Sequence, residues 1–256
     1  MTLAGCPGSA PGRATALAAI RAAAADLETA DVDVAVRVSV TGFNTWQTSG
    51  TGKVSHRPSP AMAWDLPGMQ LEPHWLYGGD NLKLILLGST LYVNQDSLAP
   101  RDDTGGPFGH RQWQKIDLTN PQASLLALSA ILDQADQYAP QRLVDMLATS
   151  DDLRRTGTET VDGTPTTRYD GTVALAGAVR EPKFDRDAVR AIKDFYRTAQ
   201  ASQASYTVWL AANGAVRMLS VTMHSADGTL DLSEELAPLT GAIEAPPAAD
   251  VETFRM

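Results

Sequence analysis

The sequence predicts an α+β fold: one large curved antiparallel sheet with helices packed on one side. Three observations carry this expectation. From Val32 to Val40, valines alternate with mostly polar or small residues, the period-two pattern of a half-buried strand. Asp162-Gly163, Asn213-Gly214 and Asp227-Gly228 each stand between β-prone runs, and such dipeptides supply the positive φ values that two-residue hairpin turns require. Helical periodicity occurs in only a few segments and does not alternate strand by strand, so hairpins rather than βαβ units organise the sheet.

Taken in order, Ala14 to Glu28 reads as a helix, rich in Ala, with Leu17, Ile20, Ala24 and Leu27 on one face and Thr15 placed to cap its start. The Val32–Val40 strand follows. Thr45 to His56 is β-prone, with Gly50 and Gly52 expected to bend it. Ala61 to Leu71 is a weaker strand. Leu82 to Val93 reads as one long or kinked strand with apolar groups on both faces. Asn94 to His110 is a long loop rich in Asp, Pro and Gly, and Trp113 to Leu118 returns to a strand pattern. Pro121 opens a helical region whose apolar face is Leu125, Leu128, Ile131 and Leu132, and Leu143, Met146 and Leu147 mark a short helix after Pro140. The second half is a meander of strands over Thr156–Val161, Thr164–Leu175, Tyr206–Ala212, Ala215–His224 and Thr229–Glu235. It is interrupted by a helix from Asp185 to Ala201 with Asp185 as its N-cap. Ala242 to Met256 reads as an irregular tail.

With 256 residues, 43% hydrophobic and 20% charged, the chain has ordinary globular composition and can bury a substantial core. A net charge of −9 without Lys/Arg clusters disfavours nucleic acid as a partner. No apolar run reaches the roughly 20 residues of a spanning helix, so membrane attachment would come through the N-terminus. There, Leu3-Ala4-Gly5-Cys6 has the pattern of a bacterial lipobox, followed by a Pro/Gly/Ser tether from Pro7 to Gly12. Cys6 is the single cysteine of the chain, which excludes an internal disulfide and makes it the expected lipidation site. A lipobox predicts a basic and then apolar signal segment upstream, and only Met1 and Thr2 precede Leu3 here. The expected organisation is a lipobox and tether over 1–13, a single domain over 14–241 and the tail over 242–256.

Catalytic and metal-binding patterns do not emerge. His56, His74, His110 and His224 are scattered and form no His-x-x-x-His pair. No Gly-x-Ser-x-Gly elbow occurs, and Gly50-Thr51-Gly52-Lys53 lacks the spacing and the following helix of a phosphate loop. The adjacent acids Asp102-Asp103 and Asp151-Asp152 fit no calcium-loop spacing. Trp46, Trp64, Trp75, Trp113 and Trp209 read as packing anchors or as the mouth of an apolar site. No catalytic residue, metal or cofactor is expected.

Three segments resemble a known family. They are Leu91-Tyr92-Val93-Asn94 followed by a Gly-rich loop and Trp113-Gln114-Lys115-Ile116-Asp117; the hairpin from Gly157 to Tyr169; and the hairpin from Val208-Trp209-Leu210 through Asn213-Gly214 to Arg217. They are similar to the LppX/LprA/LprF/LprG-type actinobacterial lipoproteins, related in fold to the periplasmic carrier LolA. The resemblance runs from Val32 to about Leu236 and implies a half-barrel whose concave face is covered by helices. In several members the space between holds acyl chains of lipids or glycolipids. On this basis Val34, Val36, Val38, Leu84, Leu86, Val208, Leu219 and Val221 are the candidate cavity residues. The expected function is a non-enzymatic exported lipoprotein, anchored at the extracytoplasmic face of the cell membrane, that carries or presents a lipid. The alternative is a protein-interaction or sensor module with a filled core, contacting a partner through the Asn94–His110 loop. A hydrolase with a triad invisible in sequence is the third reading.

Overall fold

A computed structural model describes residues 11–42, 45–56, 59–68, 81–94, 111–120 and 139–253. The helical region after Pro121, most of the Asn94–His110 loop and Cys6 lie outside the described residues. The strands are β1 (Val32–Gly42), β2 (Trp46–Ser55), β3 (Ala61–Pro67), β4 (Asn81–Leu87), β5 (Thr90–Asn94), β6 (Trp113–Asp117), β7 (Arg154–Val161), β8 (Thr164–Ala174), β9 (Gln203–Ala211), β10 (Val216–His224), β11 (Gly228–Pro238) and β12 (Val251–Thr253). The helices are α1 (Pro11–Leu27), α2 (Pro140–Leu147), α3 (Leu175–Ala178) and α4 (Arg186–Thr198).

All twelve strands join one open, curved sheet in the order β12-β6-β5-β4-β3-β2-β1-β11-β10-β9-β8-β7. The chain enters at the middle with β1 and meanders outward to β6. It then crosses to the far edge at β7 and meanders back to β11, which pairs with β1 from Val32↔Pro238 to Gly42↔Gly228. Every pairing is antiparallel except β12 on β6. The α+β half-barrel expected from the sequence is the observed architecture.

Side-chain alternation gives the two faces opposite character. One row across five strands reads Asp170, Thr207, Ser220, Ser233 and Arg37, and faces outward. The next inward row reads Tyr169, Val208, Leu219, Glu234 and Val36. The row beyond it carries Tyr206, Val221, Leu232 and Val38, all buried. Over this face lie the helices. α2 packs on β8, β9 and β10 and against α1, whose Ala16, Ile20, Ala23, Ala24 and Leu27 are buried. Tyr196 of α4 donates to the Val173 carbonyl of β8 at 3.0 Å, which fixes that helix to the sheet. Lys183 ties the covering helices at their ends, reaching Asp145 at 2.7 Å and Glu28 at 3.3 Å. Burial works against the lysine's charge, but the two carboxylates outweigh it and hold the ammonium above its ordinary value.

Several elements differ from the sequence expectation. Leu82–Val93 is not one strand but the hairpin β4–β5, because Gly88 takes φ +57 and turns the chain. α1 starts at Pro11, a residue suited to a first helical turn, so Thr15 stands inside the helix instead of capping it. α3 was not legible as a helix, and the strand starting at Ala61 stops at Pro67. The C-terminal segment is not wholly irregular: Val251–Thr253 adds β12 beside β6. Of the three turn dipeptides, Asp162-Gly163 takes positive φ at both positions, 43° and 71°. In the others only the glycine does, and the Asn213 side chain instead accepts the Ala215 amide at 3.2 Å. Asp185 caps α4, accepting the Ala188 amide at 2.8 Å.

β2 runs in unbroken register with β1 through Gly50 and Gly52, and what these glycines supply is space for β3. The Trp64 ring lies over Gly52, occupying the place of a side chain, and backbone of β3 closes on Gly50 in the same way. Gly52→Val is therefore expected to destabilise the protein by about 1–3 kcal/mol, the cost of overpacking, read as a lowered midpoint in urea denaturation. Gly157→Ala, where nothing stands within 4 Å of the added carbon, should stay within roughly 0.5 kcal/mol of wild type.

Candidate functional site

The candidate site is the apolar interior between the sheet and its covering helices, with the cleft that opens at the end of α1. Val34, Val36, Val38, Leu84, Val208, Leu219 and Val221 are buried in one hydrophobic cluster, and Leu86 is partly buried against it. Each pairs in register with inward-facing neighbours, so the structure brings all eight to one face of the sheet.

Two clefts adjoin at β1 and β11, the larger of them where α1 ends and β8 and β10 come near. The larger has a volume of about 550 Å³ and is walled by Leu27, Val32, Pro165, Val216 and Leu236. The smaller, about 370 Å³, lies against the outward face of β1, β2 and β11 and is lined by Asp33, Ala35, Thr51, Lys53 and Glu235, with the β7–β8 turn at Val161 and Asp162 beside it. Both share Arg217, Leu236 and Ala237. Arg217 sits at the bulge between Val216 and Met218 in β10, and such bulges redirect a side chain out of the ladder. The rim is acidic on balance: Asp26, Asp31, Asp33, Asp162 and Glu235 stand against Lys53 and Arg217. Burial would raise the Asp33 carboxyl, but hydrogen bonds from Thr240 and the Lys53 ammonium at 3.6 Å outweigh this and lower it.

Sequence reasoning missed Glu234. It stands on the inward face between Val36 of β1 and Leu219 of β10, fully buried, and neither carboxyl oxygen has a hydrogen-bond partner among the described residues. The signal was available: in Leu230-x-Leu232-x-Glu234-x-Leu236 it occupies the position where period two demands an apolar residue. Burial without an opposing charge pushes its carboxyl well above the ordinary value. Tyr206 Oη is likewise buried in the neighbouring row and completes no hydrogen bond, although the Tyr196 hydroxyl is near. Burial raises that Tyr196 hydroxyl to about 12.

The outward-facing hairpin that carried the family resemblance has a different role. Arg168 pairs with Asp170 at 2.9 Å and Glu159 at 3.0 Å, and its guanidinium lies 5.4 Å from the centre of the Trp209 ring. Trp209 Nε1 donates to Glu159 at 2.9 Å, and this bond with that of Arg168 lowers the Glu159 carboxyl. The cluster is internally satisfied and braces β7, β8 and β9. Trp64 and Trp113 are also buried, so three tryptophans act as packing anchors. His56 donates its amide to Asp31 at 2.7 Å, and the ring of His224 meets Thr229 at 2.9 Å; the two are far apart in the sheet. Among the described residues no group of three His, Cys, Asp or Glu side chains converges as a metal site.

The class these elements define is an α+β protein with one open, mostly antiparallel half-barrel sheet whose inward face is apolar and covered by helices. The chain is similar in structure to the lipoprotein LppX of Mycobacterium tuberculosis, with 17% identity, a TM-score of 0.47, and coverage of 90% of this chain and 99% of that one. It is also similar to LprF of Mycobacterium bovis, with 12% identity, a TM-score of 0.48, and coverage of 92% and 98%. In sequence, 82 residues, 32% of this chain, are 30% identical to an uncharacterized 31.2 kDa protein of Streptomyces griseus from the rplA-rplJ intergenic region. The match spans 27% of that relative's length. No family model matches the chain.

Glu234→Gln isolates the buried carboxyl. A group whose folded-state value lies above its unfolded value near 4.5 binds a proton in the native state that the unfolded chain has lost. Native stability therefore falls as pH rises through and above 4.5, by at most about 1.4 kcal/mol per pH unit. In urea denaturation across the acidic-to-neutral range, the variant is expected to gain on wild type as pH rises, with a constant difference below about pH 4. A difference independent of pH would show that Glu234 ionises normally in the folded protein.

Proposed function

We propose that this domain is a non-enzymatic lipoprotein that shelters the acyl chains of a lipid between its sheet and helices, for carriage or presentation. The observation that carries this reading is the meeting of the apolar inward rows with the larger cleft at the end of α1: Leu27, Val216 and Leu236 belong to both. An acyl chain gains roughly 0.8 kcal/mol per buried CH₂, and this face offers such burial. Val36, Val38, Leu84, Leu86, Val208, Leu219 and Val221, with Val34, are the residues assigned to line the space once the ligand is in place. Cys6 is assigned as the lipidated residue that holds the domain at the extracytoplasmic face of the cell membrane, with the segment from Pro7 as tether.

Two measurements test this. Delipidated protein titrated with a fluorescent acyl probe should show saturable binding of one probe per chain. Val36→Trp, which fills the inward face, should weaken it at least tenfold, about 1.4 kcal/mol. Absence of saturable binding overturns the proposal. For the anchor, protein expressed in a bacterial host behind a lipoprotein signal segment should partition into the detergent phase on cloud-point extraction. Cys6→Ala should move to the aqueous phase.

A further inference from the structure

The acyl-shelter reading leaves Glu234 without a role. An unpartnered carboxyl in an apolar interior carries a desolvation penalty that Leu at the same place would avoid. The sheet has the shape for Leu there, since Leu232 and Leu236 occupy the adjacent inward positions of β11. Both oxygens of Glu234 are free of partners among the described residues, and the side chain is 0% exposed.

Its position ties it to the larger cleft. Leu236 walls that cleft, and Glu234 is the next inward residue of the same strand. Two residues of strand place Glu234 about 7 Å further in along β11. Tyr206, 2% exposed and with its hydroxyl facing that of Tyr196, lies two strands away and one inward row further along, about 12 Å from Glu234. A ligand entering from the rim would meet an apolar stretch and then these two polar groups.

Resting on the acyl-shelter reading, we infer that Glu234, with the Tyr206 hydroxyl, is a polar anchor for a neutral oxygen function, an ester carbonyl or a hydroxyl, in the buried part of the ligand. The protonated carboxyl would donate to that oxygen, and the carboxyl carbonyl would accept from a hydroxyl. The charge distribution selects against an anion. A ligand carboxylate beside Glu234 would set two acids together with no cation in the inward row, whose other members are Tyr169, Val208, Leu219 and Val36. Asp26 and Asp31 at the larger cleft, against the single cation Arg217 among its lining residues, add to that selection. A pure hydrocarbon would leave both oxygens unmatched.

Displacement of the fluorescent acyl probe from delipidated full chain by methyl palmitate, palmitate and heptadecane tests the anchor. Wild type is expected to bind methyl palmitate about tenfold more tightly than heptadecane, equivalent to ~1.4 kcal/mol, and to bind palmitate more weakly than the ester. Glu234→Leu should abolish the ester preference, Glu234→Gln should keep it, and Tyr206→Phe should reduce it about threefold. An unchanged ester-to-alkane ratio in Glu234→Leu, or a ratio of one in wild type, overturns the anchor while leaving the acyl shelter standing. Failure of every probe to bind overturns the shelter and the anchor with it. If Glu234→Leu does not fold, the wild-type ratio and its retention in Glu234→Gln still decide the matter.

Discussion

The pairing of β1 with β11 is the contact on which the rest of the structure depends. Each half of the sheet is a meander held by local hairpins; this seam alone joins residues about 200 positions apart, from Val32↔Pro238 to Gly42↔Gly228. Its register sets the faces of everything beyond it. A slip of one residue would turn Val34, Val36 and Val38 toward solvent and bring Ala35, Arg37 and Ser39 under the helices. The seam is closed at one end by two facing glycines, Gly42 and Gly228, where an added carbon on either would run into the other strand's backbone. That close approach permits one alignment and disfavours its neighbours.

From this register follows a division of electrostatic labour. On the outer face charges are paired and solvated: Asp170, which burial alone would raise, is lowered by Arg168, Thr156 and Thr207. On the inner face the one carboxyl of its row is fully buried and has no hydrogen-bond partner among the described residues. The same residue type thus stands at the surface and in the core one strand position apart, as Glu235 and Glu234 do at the β11 seam, and burial raises the inner carboxyl. A neutral acid is a donor as well as an acceptor, and this gives the interior a hydrogen-bonding capacity without a fixed charge.

Much of the fold was legible because its determinants are local. Alternation in Val32–Val40, the three turn dipeptides and the Asp185 cap each encode one element within a few residues. The two-meander topology was not legible, because nothing in β1 or β11 names the other; their match is one of face and length. Leu82–Val93 misled for a related reason. Gly88-Ser89 is a turn of two residues inside an apolar run, and hydrophobic continuity hid it. At the site, the apolar lining was readable from period two. Glu234 was overlooked because acids are counted as surface residues, and only its place in the Leu230–Leu236 alternation marked it as inward.

In the proposed acyl shelter, affinity and selectivity would arise from different parts of the same face. Ten buried methylenes contribute on the order of 8 kcal/mol, whereas one hydrogen bond contributes about 0.5–1.5 kcal/mol net. The valine and leucine rows would therefore hold any chain of suitable length, and no single polar group could compete with them for binding strength. Glu234 acts on the margin that remains. Leaving it unmatched costs more than matching it gains, because an unsatisfied buried group bears its full desolvation penalty. Discrimination by such a group works through exclusion: ligands without an oxygen at the right depth are disfavoured, and those with a negative charge there more so. A protein that must accept variable acyl tails yet recognise one class of lipid requires this separation of roles.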